Sequence, residues 1–284
     1  MSKMASKVRA EFTGDTAPLD SLCLSITDCH HSTPAWTNDG KLVIRNSNIV
    51  DGRLDLSSRS YTSKEEYKVR ISREKPEAGD LIISREAPMG EVCIVPDGIE
   101  CCLGQRMVLI KPDKRKISSQ YLLYAMLSEF VQNQIKQSDK TGSTVSNLRI
   151  PLLKELVIPI AYNSDGVGEV LTAIDEKIDC NKRINERLIS SIKTLYDYWF
   201  VQFEFPDFNG QPYKSSGGKM VYNAALKREI PEGWKSSSIL AVTSLFGGGT
   251  PTKKRPEYWG GSIPFFTPTD ADGPIFKLST VDYI

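Results

Sequence analysis

The sequence predicts an α+β fold, in which a mainly β first domain with packed helices is followed by a long, coiled-coil-forming helix and an incomplete second domain. Three observations predict this fold: short strand-like runs up to residue 112, a heptad-like apolar spacing from Leu171, and a partial repeat of the first domain from Gly249. The chain of 284 residues also exceeds the usual size of one domain.

Residues 40–112 contain four runs that are rich in β-branched residues and separated by Gly, Pro and Asp: KLVIRNSNI, GDLIIS, EVCIVPDG and RMVLIKP. This pattern indicates short strands joined by turns. Residues 118–137 change to apolar steps of three and four, which predicts one helix capped by Ser118 or Ser119. A last strand in LKELVIPIA closes a first domain of residues 19–162, after an N-terminal extension of residues 1–18.

Residues 165–203 are predicted to form a long helix that acts as a spacer. A helix of about 35 residues is about 50 Å long at 1.5 Å per residue. Steps of three and four without a break are typical of a helix that packs along another helix, although packing onto its own domain is an alternative. The predicted helix-pairing seam comprises Leu171, Ile174, Ile178, Asn181, Asn185, Leu188, Ile192, Leu195 and Trp199. Its two asparagines are expected to determine register and partner choice.

An internal repeat follows a predicted linker of residues 204–234. STPAWTNDGKLVIRNSNIVDGRL begins at Ser32, and GTPTKKRPEYWGGSIPFFTPTDADGPIF begins at Gly249. Both have a Thr-Pro start, a variable insert, an apolar strand, a polar tetrapeptide and an Asp-Gly turn, with Asp51-Gly52 matching Asp272-Gly273. Because residues 235–284 are far fewer than the first domain needs, we expect only the start of a second domain there.

Composition narrows the function classes. No apolar run is long enough to span a membrane, and the N-terminus lacks the apolar core of a signal peptide, so a cytoplasmic protein without membrane contact is expected. The six cysteines fit neither zinc-site nor disulfide spacing. A net charge of +1 means that any nucleic-acid surface must be local.

Several segments, in their order along the chain, resemble those of the specificity subunits of type I restriction-modification enzymes. GDLIISREAPMGEVCIV resembles their central strand-turn-strand, and TGSTVSNLRIPLLKELVIPI resembles the end of their recognition domain. IDEKIDCNKRINERL and YWFVQFEFPDFNGQPYKSSGGKMV resemble the conserved helix and its exit, and GTPTKKRPEYWGGSIPFFTPTD resembles the start of the second recognition domain. The ordered set covers nearly the whole chain.

The resemblance implies a non-catalytic subunit that reads DNA, with residues 19–162 as a complete target recognition domain. Two such domains, held apart by two antiparallel helices, would each read one half of a bipartite DNA site. The implied partners are double-stranded DNA, methyltransferase (M) subunits that carry S-adenosylmethionine and methylate adenine, and a restriction (R) subunit that uses ATP and Mg²⁺ to cut unmodified DNA. This chain itself is expected to hold no cofactor.

The incomplete second domain leaves the long helix without a mate in its own chain. Two copies that pair their helices antiparallel would form a homodimer with a symmetric split site. A separate half-subunit that supplies the missing part is the alternative.

Side chains that read bases are expected to be polar and to lie on loops, because Arg matches guanine and Asn or Gln matches adenine. The DNA-binding candidates are Arg45, Asn46, Asn48, Arg85, Gln105, Arg106, Lys140, Thr141, Ser143, Thr144 and Asn147. Asn46 and Asn48 alternatively only form a turn. Arg85 alternatively pairs with a neighbouring glutamate, and the loop after residue 138 is alternatively an ordinary solvated loop.

No catalytic or metal site is predicted. An adenine methyltransferase needs a glycine loop and an Asn/Asp-Pro-Pro-aromatic run, and FGGGTPTKK lacks the lysine spacing of a phosphate loop. Asp55, Glu66 and Lys68 only imitate a nuclease triplet, and the adjacent His30 and His31 are more typical of a surface pair. The remaining alternatives are a nonfunctional fragment or recombination cassette of a specificity locus, and a coiled-coil protein-interaction module.

Overall fold

The computed structural model describes residues 14–139, 147–271 and 280–284. It divides into two compact units, Met1–Leu188 and Ile189–Ile284. The strands of the first unit are β1 (Thr16–Pro18), β2 (Cys23–Asp28), β3 (Trp36–Thr37), β4 (Lys41–Ile44), β5 (Ile49–Val50), β6 (Arg53–Leu54), β7 (Ser60–Thr62), β8 (Leu81–Ser84), β9 (Val92–Ile94), β10 (Cys101–Leu103), β11 (Met107–Pro112) and β12 (Val157–Pro159). The helices are α1 (Lys64–Arg70), α2 (Ser119–Leu127), α3 (Glu129–Asp139), α4 (Ile150–Lys154) and α5 (Ser164–Tyr196).

Two four-stranded sheets form the centre of the first unit, with strand orders β2-β11-β8-β9 and β10-β4-β7-β3. In the first sheet, β11 pairs antiparallel with both neighbours, so Leu109 lies opposite Thr27 and Ile82. In the second sheet, β4 and β10 run parallel, with Ile44 opposite Leu103. The predicted α+β class, with its mainly β first part and long helix, is confirmed.

The sheet that contains β8 and β11 is covered on both faces, which explains why its strands are apolar without alternation. Leu81 and Ile83 lie in a core shared with Leu122 of α2. Ile82, between them, lies in a second core with Ile44 of β4. Because successive strand residues point to opposite faces, one strand contributes to both cores.

The prediction of a single helix over residues 118–137 is wrong at Ser128. That residue is extended, with ψ of 147°, and separates α2 from α3. Its hydroxyl donates to the Ala125 carbonyl at 2.6 Å and accepts from the Val131 N–H at 3.4 Å, so it ends one helix and caps the next. The predicted capping residue Ser118 is confirmed, since its hydroxyl accepts from the Tyr121 N–H at 3.3 Å.

The seven-residue helix α1 is absent from the sequence prediction, because its residues show no long apolar period. Ser63 caps it by accepting from the Glu66 N–H at 3.1 Å. The buried Arg70 guanidinium bonds Glu66 at 2.8 Å and the Ser32 carbonyl at 2.8 Å. These two bonds connect α1 to the segment that begins the repeat.

Strand β1 pairs antiparallel with β12, placing Thr16 opposite Pro159. It lies within residues 1–18, which the sequence assigns to an extension. The pairing brings the beginning and the end of the first domain together at the base of α5, since the Ile160 N–H donates to the Asp15 carbonyl at 2.8 Å.

Helix α5 confirms the predicted long helix. Its 33 residues continue through a π-helical turn to Val201. Its beginning packs closely on α2, because a Cβ at Gly168 would lie 2.9 Å from the Tyr121 nitrogen. Arg53 also pairs with Asp175 and Asp179. No helix of the described ranges has the length and apolar character that crossing a membrane requires.

The second unit contains β13 (Met220–Asn223), β14 (Arg228–Pro231), α6 (Ile239–Val242), β15 (Pro264–Phe265) and β16 (Asp282–Tyr283). Strands β13 and β14 form an antiparallel hairpin. Beside it, the Phe205 ring stacks on Tyr213 at 4.8 Å and on Trp234 at 5.3 Å between ring centroids. Large side chains further along, such as Leu245 and Phe246, are exposed.

The two copies of the sequence repeat share a local conformation. In each, the apolar strand is followed by a short 3₁₀ turn, Asn46–Asn48 after β4 and Pro268–Asp270 after β15. The third turn residue is buried and accepts from the backbone N–H three positions earlier, at 3.0 Å for Asn48 and 2.8 Å for Asp270. The matched Asp272-Gly273 lies outside the described residues.

Candidate nucleic-acid interface

A surface pocket of about 160 Å³ brings four of the predicted DNA-binding residues together. These are Arg45, Asn46, Gln105 and Arg106, and the remaining lining residues are Thr33, Pro34, Trp36 and Gly104. The sequence-predicted residues come from two segments about 60 positions apart. Their proximity in space is therefore a result of the fold.

The parallel pairing of β4 and β10 explains why these two segments lie side by side. Ile44 and Leu103 end neighbouring strands at the same edge, so the residues that follow each strand emerge side by side. The Gly104 N–H donates to the Ile44 carbonyl at 2.8 Å. A Cβ at Gly104 would lie 3.1 Å from that oxygen, so the glycine allows the close approach of the two strands.

Arg45 and Trp36 form a cation–π pair at the rim of this pocket. The guanidinium carbon lies 5.3 Å from the ring centroid, and Trp36 is 46% exposed. Arg45 is also exposed, so its donors face solvent. The sequence analysis did not select Trp36, although an aromatic residue just after the Thr-Pro start of the repeat was an available signal.

Gln105 and Asn46 complete the polar lining. The Thr33 hydroxyl donates to the Gln105 side-chain oxygen at 3.2 Å, which orients that amide. The Asn46 amide donates to the Ala87 carbonyl, so Asn46 connects the pocket to the turn after β8. Both side chains are partly buried and present amide groups of the kind that matches adenine.

Asn48 differs from its neighbours because it is 3% exposed. Its amide donates to the Asp55 carbonyl at 3.0 Å and to the Ser58 carbonyl at 2.8 Å, while its oxygen accepts from the Arg45 N–H at 3.0 Å. These three bonds engage both the oxygen and the NH₂ group of the Asn48 side chain. The structure therefore favours the alternative in which Asn48 forms the turn that presents Arg45.

Arg85 also lies inward, with its side chain 12% exposed. Its guanidinium donates to the Leu148 carbonyl at 3.0 Å, to Asp28 at 2.7 Å and to the Asn147 side-chain oxygen at 3.1 Å. The same Asp28 carboxylate pairs with His31 at 3.1 Å. Arg85 thus joins the ends of three chain segments, an arrangement that suits positioning of the surface loops rather than direct contact with a base.

Asn147 and Arg106 extend this network towards the pocket. The Asn147 amide donates to Glu86 at 2.7 Å, and the other oxygen of Glu86 pairs with Arg106 at 3.1 Å. Through these bonds the buried network ends at the pocket rim, where the Arg106 side chain is exposed. Of the predicted residues outside the pocket, Arg85 and Asn147 are therefore connected to it through hydrogen bonds.

The other four predicted DNA-binding residues lie outside the described residues: Lys140, Thr141, Ser143 and Thr144. The described chain resumes at Asn147, beside Arg85. Buried polar atoms at this end of the first sheet, the Asp28 Oδ1 and the His30 Nε2, have no hydrogen-bond partner among the described residues. Such atoms are uncommon in folded proteins.

The cysteines of the first domain lie in its core. Burial raises the pKa of Cys93 to about 12, and burial together with neighbouring Cys102 raises the pKa of Cys101 to about 12. These thiols therefore stay protonated at neutral pH, and a protonated thiol is a poor metal ligand or nucleophile. Within the described ranges, no group of three or more His, Cys, Asp or Glu side chains is arranged to hold a metal ion.

The predicted seam of α5 is largely uncovered in the isolated chain. Its apolar residues Ile174, Ile178, Ile192 and Leu195 are exposed, and Leu188 is 55% exposed. Asn181 and Asn185 are exposed as well, while Leu171 and Trp199 are partly buried. An apolar stripe of this length on a helix is typical of a surface that packs against another helix.

Residues 32–189 match the family described as the type I restriction modification DNA specificity domain. This match covers more than half of the chain, and the chain belongs to that family. The resemblance inferred from the sequence is therefore confirmed.

Two curated relatives are named specificity subunits. The MjaIX specificity subunit of Methanocaldococcus jannaschii is 27% identical over 189 residues, covering 66% of this chain and 41% of the relative. The HindI specificity subunit of Haemophilus influenzae is 19% identical over 257 residues, covering 72% of this chain and 56% of the relative. The chain thus spans about half the length of the relatives it matches. Both names agree with the prediction of a specificity subunit rather than a catalytic one.

Two solved structures are also similar. The HsdS subunit from Thermoanaerobacter tengcongensis has 14% identity and a TM-score of 0.42, covering 73% of this chain and 53% of that chain. The type I S subunit from M. genitalium has 14% identity and a TM-score of 0.43, covering 89% of this chain and 59% of that chain.

Proposed function

We propose that this chain is the sequence-specific DNA recognition subunit of a type I restriction-modification complex and that it acts in the cytoplasm. The observation that supports this most is the pocket at the shared edge of β4 and β10, which lies in the part of the chain that matches the family. In this proposal, the pocket faces the DNA, and Arg45, Gln105 and Arg106 provide the side chains that contact it.

The chemistry of the pocket suits base reading. Arg45 presents a planar set of donors that matches the O6 and N7 acceptors of guanine, and Trp36 beneath it limits its orientations. The Gln105 amide suits adenine, and Arg106 provides a second positive charge at the rim. Because the net charge of the whole chain is only +1, these two arginines attract DNA through their local positive charge.

The reaction itself belongs to the proposed partners. An M subunit with S-adenosylmethionine would methylate adenine at a bipartite site, and an R subunit with ATP and Mg²⁺ would cut unmodified DNA. The role of this chain is to hold the M subunit at the chosen sequence. The contribution of this chain is therefore measured by how its variants change the DNA sequence that the complex recognises and the affinity for that sequence.

The test co-expresses this chain with the M subunit of its own locus and detects N6-methyladenine across the host genome. We expect methylation at one bipartite motif with the natural chain and a lost or altered half-site with Arg45→Ala. Arg59→Ala, which removes an exposed arginine outside the pocket, is the matched control and should keep the motif. An unchanged motif in Arg45→Ala, or no methylation with the natural chain, would contradict the proposal.

We further propose that the seam of α5 pairs with a second helix, in a homodimer of this chain or with a separate half-subunit. The exposed seam residues support this, because covering them would bury apolar area that otherwise faces water. The mass of the complex with M, measured by light scattering, distinguishes the two cases. Ile174→Asp together with Leu188→Asp should abolish pairing, whereas Lys177→Asp, off the seam, should not.

A further inference from the structure

A second cavity of the first unit lies between the β domain and the beginning of α5. It is a groove of about 720 Å³, within the size range of ligand-binding clefts. One wall is formed by the loops around Gly79 and Asp97 and by the start of α2, and the other by one face of α5. The α5 residues in this wall are Asp165, Glu169, Thr172, Ala173 and Glu176.

The groove is acidic. Four carboxylates line it, namely Asp97, Asp165, Glu169 and Glu176, against the single cation of Lys114. In the part of the chain that the structure describes, none of the four carboxylates forms an ion pair. A groove with this charge repels the phosphate backbone of DNA, so it is a separate surface from the Arg45 pocket.

An unpartnered buried hydroxyl gives an independent indication of a ligand. Ser119, the first residue of α2, is 4% exposed and lines the groove. Its Oγ has no hydrogen-bond partner among the described residues. A buried hydroxyl without a partner costs free energy, and a ligand that donates to it would remove that cost.

The shape of the acidic wall indicates an extended ligand. Glu169 and Glu176 are seven residues apart on α5, about 10 Å along the helix axis at 1.5 Å per residue. These carboxylates do not converge with other ligands into a metal site within the described ranges. Two or more separate positive charges therefore match the groove better than one ion.

The start of α2 distinguishes a peptide from a simple polyamine. The first backbone N–H groups of a helix have no partner within the helix, and Ser119 and Gln120 occupy these positions beside the groove. They suit the carbonyl oxygens of a peptide backbone, while the carboxylates suit its basic side chains. A basic peptide offers both groups, whereas a polyamine offers only cations.

We infer that this groove is a docking site for a basic segment of a protein partner, with Lys or Arg side chains about 10 Å apart, which is three residues, or one full turn, of an extended polyproline II chain. The site is independent of the proposed DNA contact.

The test measures fluorescence anisotropy of a labelled, capped peptide, Gly-Arg-Gly-Gly-Arg-Gly, with the full chain at low salt. We expect binding that weakens at least tenfold in Glu169→Gln/Glu176→Gln. Ser119→Ala, which leaves the charge unchanged, should weaken it about fivefold, as expected for one lost hydrogen bond. Glu65→Gln/Glu129→Gln, which removes two charges outside the groove, is the control and should bind like the natural chain.

A steric variant keeps the inference falsifiable if Ser119→Ala perturbs folding. Ala173→Trp fills the groove without changing its charge and should abolish peptide binding, with circular dichroism confirming the fold. Equal binding in all variants would overturn the inference. Spermidine binding as tight as the peptide would also overturn it, because the groove would then be only an acidic surface.

Discussion

Two arginines that the sequence places in the same role lie in opposite environments. Arg45 is exposed above Trp36 at the edge of the second sheet. Arg85 is almost enclosed at the end of the first sheet, with acceptors from Asp28, Asn147 and Leu148 around its guanidinium. In the proposed function, Arg45 contacts a base and Arg85 holds the surrounding loops in place, because only the exposed guanidinium can exchange water for a base.

The largest effect is expected for Arg85→Ala, which leaves the Asp28 carboxylate without its main partner. Removing one member of a largely buried, hydrogen-bonded ion pair costs about 3 kcal/mol of unfolding free energy. Urea denaturation should show the loss, and Arg85→Lys, which keeps the charge, should recover part of it. A variant as stable as the natural chain would show that Arg85 does not hold these loops.

Asn48→Ala should have the next largest effect, with a loss of about 2 kcal/mol in unfolding free energy because two backbone carbonyls and one N–H lose a partner. Asn46→Ala is the matched control, since Asn46 is partly exposed, and should cost less than about 0.5 kcal/mol. Thermal and urea unfolding of the pair measures the difference. Equal losses would remove the distinction between turn-forming and pocket-lining asparagines.

Arg45→Ala should leave stability nearly unchanged and instead reduce discrimination between target and non-target DNA by about 1–3 kcal/mol. The measurement is the ratio of the two affinities, obtained by anisotropy with the M subunit present. Arg45→Lys retains the charge but loses the planar donors, so it should keep the nonspecific affinity and lose the ratio. A ratio that persists in both variants would place base reading elsewhere.

The smallest effect is expected for Trp36. Trp36→Ala should weaken specific DNA binding by about 0.5–1 kcal/mol, the usual strength of an exposed cation–π pair, because Arg45 loses its support. Trp36→Phe should retain most of the affinity. Equal affinities of the natural chain and Trp36→Ala, measured in the same anisotropy titration, would mean that Arg45 is oriented without the ring.

Both copies of the repeat show how much local sequence determines. The polar tetrapeptides Arg-Asn-Ser-Asn and Thr-Pro-Thr-Asp differ at all four positions, yet both form a 3₁₀ turn with a buried third turn residue, Asn48 or Asp270. In both copies the side-chain oxygen of the third turn residue accepts from the backbone N–H three positions earlier, and this shared bond is local. Such features can be predicted from a short window.

The sequence alone determined the β-rich first domain, the long helix α5, its apolar seam and the family. Runs of β-branched residues, helical spacing and capping by Ser118 arise from residues within a few positions of one another, so their physics is visible in the sequence. The break at Ser128 was missed because a serine hydroxyl can either face solvent or cap a helix, and neighbouring contacts decide which.

Only the tertiary structure decided which predicted residues share a surface. The parallel pairing of β4 with β10 brings Arg45 beside Gln105, and the closure of the first domain brings Asn147 to Arg85. It also buries Asn48 and encloses Ser119 beside the acidic wall of α5. These outcomes depend on strand pairing and packing between distant segments, whose free energies are set by the whole core and not by any local pattern.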